Sequence, residues 1–498
     1  MKLLFRCDAS ITLGAGHLMR CLSIADLAAS RGHECHFVCA EQPGFDATQV
    51  IARQHGLTRL PSQPDWRSLY RAIMPWAGSD WLIVDHYQLD RRWEIPLAAL
   101  FPQQLVVDDL ANRAHRATQL LDVTPSRQLA DYQHSDFERR PLLGPSYAPL
   151  RPEFAALRSA ALAKRRLCAP IKRLLLSLGA MDSDNHLSRI LPLIDKLSVP
   201  QLEIDLVLAS HAPHIDALST LIAASRHRVT LHLDAHNMAE LMLQADLAIG
   251  AGGTSSWERA ALALPTLLFT LADNQQENAE QLAKANAVIW LGDLRTLNEQ
   301  QLLHQLFTHW PTPAKLQQLS QHAATLCDGA GTQRLLETLT PLQHGYWLQP
   351  VTTEDAEWMC LWQQHTVTRQ HSRNPAPPSL NEHQVWLDST LQHTHRWLFK
   401  LMSVNGPCAV VRLDESHEAP GNNEVSLYVD PQQHQQGHGK RALALLHKLF
   451  PWLTFHAYIH PENQGSLALF QSVGYQPSHQ QHWFYFTPRE PFHASVYY

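Results

Sequence analysis

The sequence predicts an α/β protein of two tandem halves, each built of strands alternating with helices, followed by a smaller α+β domain. Three observations carry that expectation. Short apolar runs alternate with helix-period segments from residue 2 to about 145 and again from about 171 to 340. Glycine-rich turns stand between strand and helix at Gly14–Gly16 and Gly250–Gly253. Near Thr340–Pro350 the pattern changes to helix, loop, helix, several strands, turn, helix, strand, helix.

In chain order, Lys2–Cys7 is a buried-strand run, His17–Ser30 repeats apolar residues at helical spacing, and Glu34–Ala40 is the next strand, with Gly32 just past the helix end. Trp81–Asp85 and Gln104–Asp108 are further strands, each ending in Asp. Such alternation gives a parallel sheet, whose ligands sit beyond the carboxyl ends of the strands. The second cycle places strands at Arg173–Ser177, Leu202–Leu208, Val229–Leu233 and Leu247–Ile249, the last running into a glycine turn and a helix that opens near Trp257. The halves join near residues 145–170, with a cleft expected between them. In the third region a strand at Tyr346–Val351 leads to two helices around the Pro-rich loop Asn374–Ser379, and the strand Glu424–Val429 precedes the Gly437–Gly439 turn. The expected domains are residues 1–160, 161–342 and 346–490, and the tail from Thr487 has no core pattern.

A chain of 498 residues exceeds what one core fills. With 45% hydrophobic and 17% charged residues it is globular rather than disordered. A net charge of −6 with no long basic run excludes a non-specific nucleic-acid binder. Lys2, Arg6 and Asp8 interrupt the apolar opening, and no stretch has the length of a membrane span, so the expectation is a cytoplasmic protein with no membrane partner. The eight cysteines are scattered and read as buried free thiols. The 31 histidines lack metal-ligand spacing, and no metal is expected. The oligomeric state is not written in these patterns.

The sharpest chemical feature is Gly14-Ala15-Gly16-His17, directly after the first strand and at the start of the first helix. Glycines there admit a phosphate-bearing ligand, the helix amino end favours anions, and a histidine is suited to proton transfer near neutral pH. The second glycine turn, Gly250-Ala251-Gly252-Gly253-Thr254-Ser255-Ser256, offers backbone amides to a diphosphate. Asp85, Asp108 and Asp109 at strand ends read as substrate-orienting or as loop caps, and His86 as a further base or a local hydrogen bond. Asp182, Ser183 and Asn185, after Gly179, read equally as site residues or as cap and turn.

Arg6-x-Asp8, Gly14-x-Gly16-His17-x-x-Arg20-Cys21, Val84-Asp85-His86-Tyr87-x-x-Asp90, Val107-Asp108-Asp109-Leu110-Ala111-Asn112-Arg113 and Leu143-Gly144-x-x-Tyr147-x-x-Leu150-Arg151 together resemble the UDP-2,4-diacetamido-2,4,6-trideoxy-β-L-altropyranose hydrolases of pseudaminic acid biosynthesis. The resemblance spans most of residues 1–340 and implies two Rossmann-like halves in a GT-B-like arrangement. It implies His17 as the base for an attacking water, inversion at the anomeric carbon and no metal. It also implies substrate contacts from Gly14, Gly16, Arg20, Asp85, Asp109, Gly252, Gly253, Thr254 and Ser255, from Glu258 on the ribose, and from Asn274, Gln275 and Asn278 on sugar and diphosphate.

His434-Gln435-Gln436-Gly437-His438-Gly439-Lys440 before a helix, with Asn463-x-x-Ser466-x-x-x-Phe470-x-x-x-Gly474-Tyr475 downstream, resembles the GNAT acetyltransferases. That likeness implies an α+β GNAT domain using acetyl-CoA, bound through Gln436, Gly437, His438, Gly439, Lys440, Asn463 and Ser466. Glu424 is the candidate base. His434 stands where relatives carry Arg or Gln, and Phe470 where many carry the tyrosine that protonates the thiolate, which leaves the acid unassigned between Tyr475 and other hydroxyls. His383-x-x-Trp386-Leu387 is similar to the sugar-nucleotide acetyltransferases among them.

The two resemblances imply consecutive steps on UDP-linked amino sugars: N-acetylation of UDP-4-amino-4,6-dideoxy-N-acetyl-β-L-altrosamine, then hydrolysis to UDP and free sugar. The alternatives are a GT-B glycosyltransferase fused to an acetyltransferase, and a non-catalytic nucleotide-sugar-binding scaffold. Complete strand, turn and helix cycles on each side of residues 342–346 predict two modules that survive a cut there.

Overall fold

The computed structural model describes residues 1–10, 14–167, 169–415 and 422–487. The first half comprises β1 (Lys2–Cys7), α1 (Gly16–Ser30), β2 (Glu34–Ala40), β3 (Gly56–Leu60), α2 (Trp66–Ile73), β4 (Trp81–Asp85), α3 (Arg91–Leu97), β5 (Gln104–Val107), β6 (Gln119–Asp122) and β7 (Leu142–Leu143). Its sheet is parallel throughout, in the order β3-β2-β1-β4-β5-β6-β7. Leu3, Phe5 and Cys7 of β1 join one buried cluster and Leu4 another, so the strand is apolar on both faces, as a sheet covered on both sides requires. The order reverses at β1 and β4, and the loops beyond their carboxyl ends meet in a crevice.

The helix α4 (Pro152–Arg165) leads into the second half, with Pro152 at its first turn, where a missing N–H costs nothing. There follow β8 (Arg173–Ser177), α5 (His186–Asp195), β9 (Glu203–Leu208), β10 (Arg228–Leu233), β11 (Leu247–Ala251), α6 (Ser255–Ala261), β12 (Thr266–Thr270), α7 (Gln276–Lys284) and β13 (Ile289–Asp293). They make a second parallel sheet, β10-β9-β8-β11-β12-β13. Asp182 resolves as a cap: its carboxylate accepts from the His186 and Leu187 amides at 2.9 Å each. The last helix of this half, α8 (Gly331–Thr338), returns to the first. A Cβ on Gly331 would lie 2.3 Å from the Ala148 carbonyl oxygen, and the Thr332 hydroxyl donates to the Leu150 carbonyl at 2.6 Å.

The third domain runs β14 (Tyr346–Pro350), α9 (Ala356–Gln364), α10 (Leu380–Gln392), β15 (Arg396–Ser403), β16 (Gly406–Glu415), β17 (Asn422–Val429), α11 (His438–Leu449), β18 (Thr454–Tyr458), α12 (Gln464–Ser472), β19 (Gln476–Pro477) and β20 (Trp483–Phe486). Its sheet, β14-β15-β16-β17-β18-β20-β19, is antiparallel except for the parallel pair β17 and β18. The tail from residue 488 lies outside the described residues.

This domain is docked on the first half. One buried apolar cluster includes Tyr70, Ile73 and Trp93 together with Leu348, Trp397 and Phe450. Trp66 packs on Trp397, Phe450 and Trp452 with ring centroids 5.9, 5.9 and 5.4 Å apart, and Arg67 forks onto Glu415 at 2.8 and 2.5 Å. The seven described cysteines are buried free thiols, and Cys168 lies outside the described residues. No described helix is long and apolar enough to cross a membrane.

Candidate active sites

Between the two halves lies a cleft of about 230 Å³. On the first-half side, Gly14 takes a left-handed φ of 73° that turns the chain from β1 into α1 and brings His17 to the crevice. His17 Nδ1 meets Asp85 Oδ1 at 2.5 Å. Arg20, one turn further along α1, binds the same carboxylate through Nε at 2.5 Å and Nη2 at 2.7 Å, and reaches Asp109 Oδ2 through Nη1 at 2.9 Å. Burial works against ionisation of Asp85, but the Arg20 guanidinium and the His17 ring hold its carboxyl well below the usual carboxylate range. The Tyr87 ring stands edge-on to His17, with centroids 4.3 Å apart.

The second half forms the opposite wall with Ala251, Gly252, Gly253, Thr254, Ser255, Asn274, Gln275 and Asn278. A Cβ on Gly252 would sit 3.3 Å from Gln275 Cβ, and one on Gly16 would sit 3.4 Å from Thr254 Cγ2, so both glycines keep the walls close and backbone-lined. Asn278 Nδ2 donates to the Gly252 carbonyl at 2.8 Å. Asp109 Oδ1 and Asn278 Oδ1 are buried without a hydrogen-bond partner among the described residues, two acceptors that a ligand hydroxyl or amide can satisfy. Two contacts span the cleft: Asn274 Nδ2 donates to the Tyr87 hydroxyl at 3.0 Å, and Arg127 pairs with Glu277 at 3.2 Å.

The structure thus brings Gly14, Gly16, His17, Arg20 and Asp109 opposite the second glycine turn. Asp85, expected to touch substrate, has no exposed surface and both oxygens engaged, so it stands behind His17 rather than in the cleft. Glu258 is not among the cavity-lining residues; it lies 3.6 Å from Arg151, and burial raises its carboxyl despite that partner. His86 turns away to Asp8 at 3.0 Å, the local bond that was its alternative role. Asp108 accepts from the amides of Leu110 and Ala111 as a loop cap. Sequence reasoning assigned no role to Tyr87, Thr124, Trp257 or Glu277, which also line the cleft.

In the third domain, Gly437 has a left-handed φ of 78° and opens the 12-residue helix α11. A Cβ on Gly439 would come 2.9 Å from Leu469, so this glycine lets α11 press against α12. Gln436 and Lys440 are exposed beside it, whereas the His438 ring is buried near Tyr346. Asn463 accepts from the Ser466 amide at 2.9 Å as the cap of α12. The ladder between β17 and β18 ends at Glu424 and His456, after which the two strands part. Glu424 is paired with Arg373 at 2.7 Å. Tyr475 is buried, packs on Phe470 and meets His447 at 3.1 Å.

Residues 346–476 match the family described as acetyltransferase (GNAT) domain. The third domain is a GNAT acetyltransferase domain. Residues 226–331 match the glycosyltransferase family 28 C-terminal domain, which covers the glycine turn of the second wall. The crystal structure of Acinetobacter baumannii MurG superposes with a TM-score of 0.52 at 16% identity, over 68% of this chain and 99% of MurG, so the first two domains share its GT-B-like fold. The spore coat polysaccharide biosynthesis protein SpsG of Bacillus subtilis is 26% identical over 200 residues, 40% of this chain. That match spans 58% of the length of SpsG. An uncharacterized protein of Methanocaldococcus jannaschii aligns at 21% identity over 97% of this chain and 99% of its own length.

Proposed function

We propose that the chain performs two consecutive steps on one nucleotide-linked amino sugar: acetylation of the 4-amine of UDP-4-amino-4,6-dideoxy-N-acetyl-β-L-altrosamine, then hydrolysis of the diacetamido product to UDP and free sugar. The observation that carries the hydrolytic step is the His17–Asp85 pair facing the Gly252–Ser255 turn across the cleft. Asp85 accepts the Nδ1 proton, which leaves Nε2 as the basic nitrogen. Water attacks the anomeric carbon, its proton passes to His17 and the carbon–oxygen bond to UDP breaks. The amides of the Gly250–Ser256 turn stabilise the departing diphosphate. Arg20 and Asp109 hold the sugar side, Asn274, Gln275 and Asn278 the diphosphate side, and Glu258 the ribose. The resemblance adds inversion at the anomeric carbon.

For the first step, the exposed left-handed Gly437 at the start of α11 and the parting of β17 from β18 fit acetyl-CoA. When bound there it supplies the acetyl thioester. Gln436, Gly437, Gly439 and Lys440 hold its pyrophosphate, Asn463 and Ser466 border it, and Glu424 takes a proton from the amine.

A second reading, transfer of the sugar to an acceptor other than water, is favoured by the family 28 match and by the polysaccharide role in the name of SpsG. The two separate in one assay. Free reducing sugar and UDP formed with no added acceptor support hydrolysis; release that waits for an added acceptor supports transfer.

A further inference from the structure

The acetyltransferase domain exposes a cationic and aromatic platform that neither step above uses. Arg373, in the loop between α9 and α10, lays its guanidinium over two rings, 4.9 Å from Tyr458 and 5.6 Å from Trp483. The Arg373 side chain is 56% exposed and Tyr458 36%, so these groups face solvent rather than core. Contact with two rings holds the guanidinium in place beside Glu424. Nη2 donates to Glu424 at 2.7 Å, and Glu424 is the only acceptor of an Arg373 hydrogen bond among the described residues.

Glu424 is also where β17 stops pairing with β18, the point at which an acetyl group and an amine can meet. The candidate base is therefore held by an exposed arginine. The guanidinium occupies a carboxylate oxygen that would otherwise face the amine, and a half-exposed pair is open to exchange with a stronger anion. Phosphate is such an anion, because a guanidinium takes two of its oxygens at once.

We propose that Arg373, held in place by Tyr458 and Trp483, reads a phosphate on the acetyl acceptor and in doing so releases Glu424 to deprotonate the acceptor's ammonium. The inference rests on the acetyl-transfer reading above and assigns Arg373 to the diphosphate of the substrate named there. The ammonium gives one proton to Glu424, which passes it to solvent. The nitrogen then bonds the acyl carbon as the carbon–sulfur bond breaks, and its second proton ends on the sulfur, giving amide, free thiol and one proton.

Two readouts on the full chain test this. In calorimetric titration with UDP, Arg373→Gln is expected to lose one wild-type site, or to weaken it about 10–100-fold, whatever the His17 cleft does. Acetyl transfer is then compared between the 4-amino UDP-sugar and the same amino sugar without its nucleotide. Wild type favours the nucleotide-linked amine. Arg373→Gln raises KM for that amine yet acetylates the plain amine at least as well as wild type, because Glu424 is no longer held. Glu424→Gln keeps the UDP site and loses transfer. Identical UDP binding by wild type and Arg373→Gln, or an equal loss with both acceptors, overturns the proposal. If wild type acetylates neither amine, the acetyl-transfer reading fails, and the titration alone decides whether Arg373 binds phosphate.

Discussion

The hydroxyl of Tyr70 in α2 donates to the backbone carbonyl of Leu449, the last residue of α11, across 2.9 Å. That bond joins the first half to the acetyltransferase domain inside a shared apolar cluster, so a cut near residues 342–346 uncovers apolar surface on both sides. Each fragment keeps its glycine turns and candidate catalytic groups but exposes part of a core. Trp66→Ala in the full chain is expected to lower stability by about 1–3 kcal/mol. Calorimetry is expected to show the acetyltransferase transition shifting with that of the first half. An unchanged acetyltransferase transition would mean the docking carries no energy.

His17→Asn is expected to reduce sugar release about 10²–10⁴-fold and to leave acetyl transfer intact. Asp85→Asn reduces sugar release in the same direction with little change in KM, because Asp85 orients the base without touching substrate. A variant of Asp85 that changes KM alone would return it to the substrate-binding residues.

Much of this was legible in the sequence. The strands β1, β2, β4, β8 and β11 are mostly apolar runs, and the boundaries expected for them fall within two residues of those observed. The edge strand β3, Gly56–Leu60, carries Thr58 and Arg59 and is half solvent-facing, and β7 has two residues, so neither shows a period. Glycine turns marked both cleft walls. Tyr87 and Asn274 are 187 positions apart, and no local pattern links them; their contact follows only from how the halves meet. The docking surface was hidden for a related reason, since Trp66 and Trp397 lie in different domains and no local pattern links them.

Glu258→Ala is expected to raise KM for the nucleotide sugar more than it lowers kcat, since ribose contacts serve ground and transition states alike. Steady-state kinetics check this. A fall in kcat at constant KM would place Glu258 elsewhere in the reaction.

Acid should loosen the fold through two histidines. Burial against Phe455 and Phe486 lowers His447 to about 3, and burial lowers His36 to about 4. Between those values and the ordinary histidine value of about 6.5 the unfolded chain holds protons that the folded chain refuses, so stability is full above that value and is lost as pH falls through the window. Thermal midpoints measured from pH 7 to pH 4.5 are expected to fall, and less steeply in His447→Gln. Equal slopes would remove His447 from the account.

The most direct measurement is mass spectrometry of the purified chain incubated with acetyl-CoA and the 4-amino UDP-sugar in the absence of any other acceptor. The account predicts that the N-acetylated UDP-sugar forms first and is then converted to UDP and free diacetamido sugar, with His17→Asn halting the sequence at the acetylated UDP-sugar. Acetylated UDP-sugar that accumulates without sugar release by the wild-type chain, or release that His17→Asn leaves untouched, would contradict it.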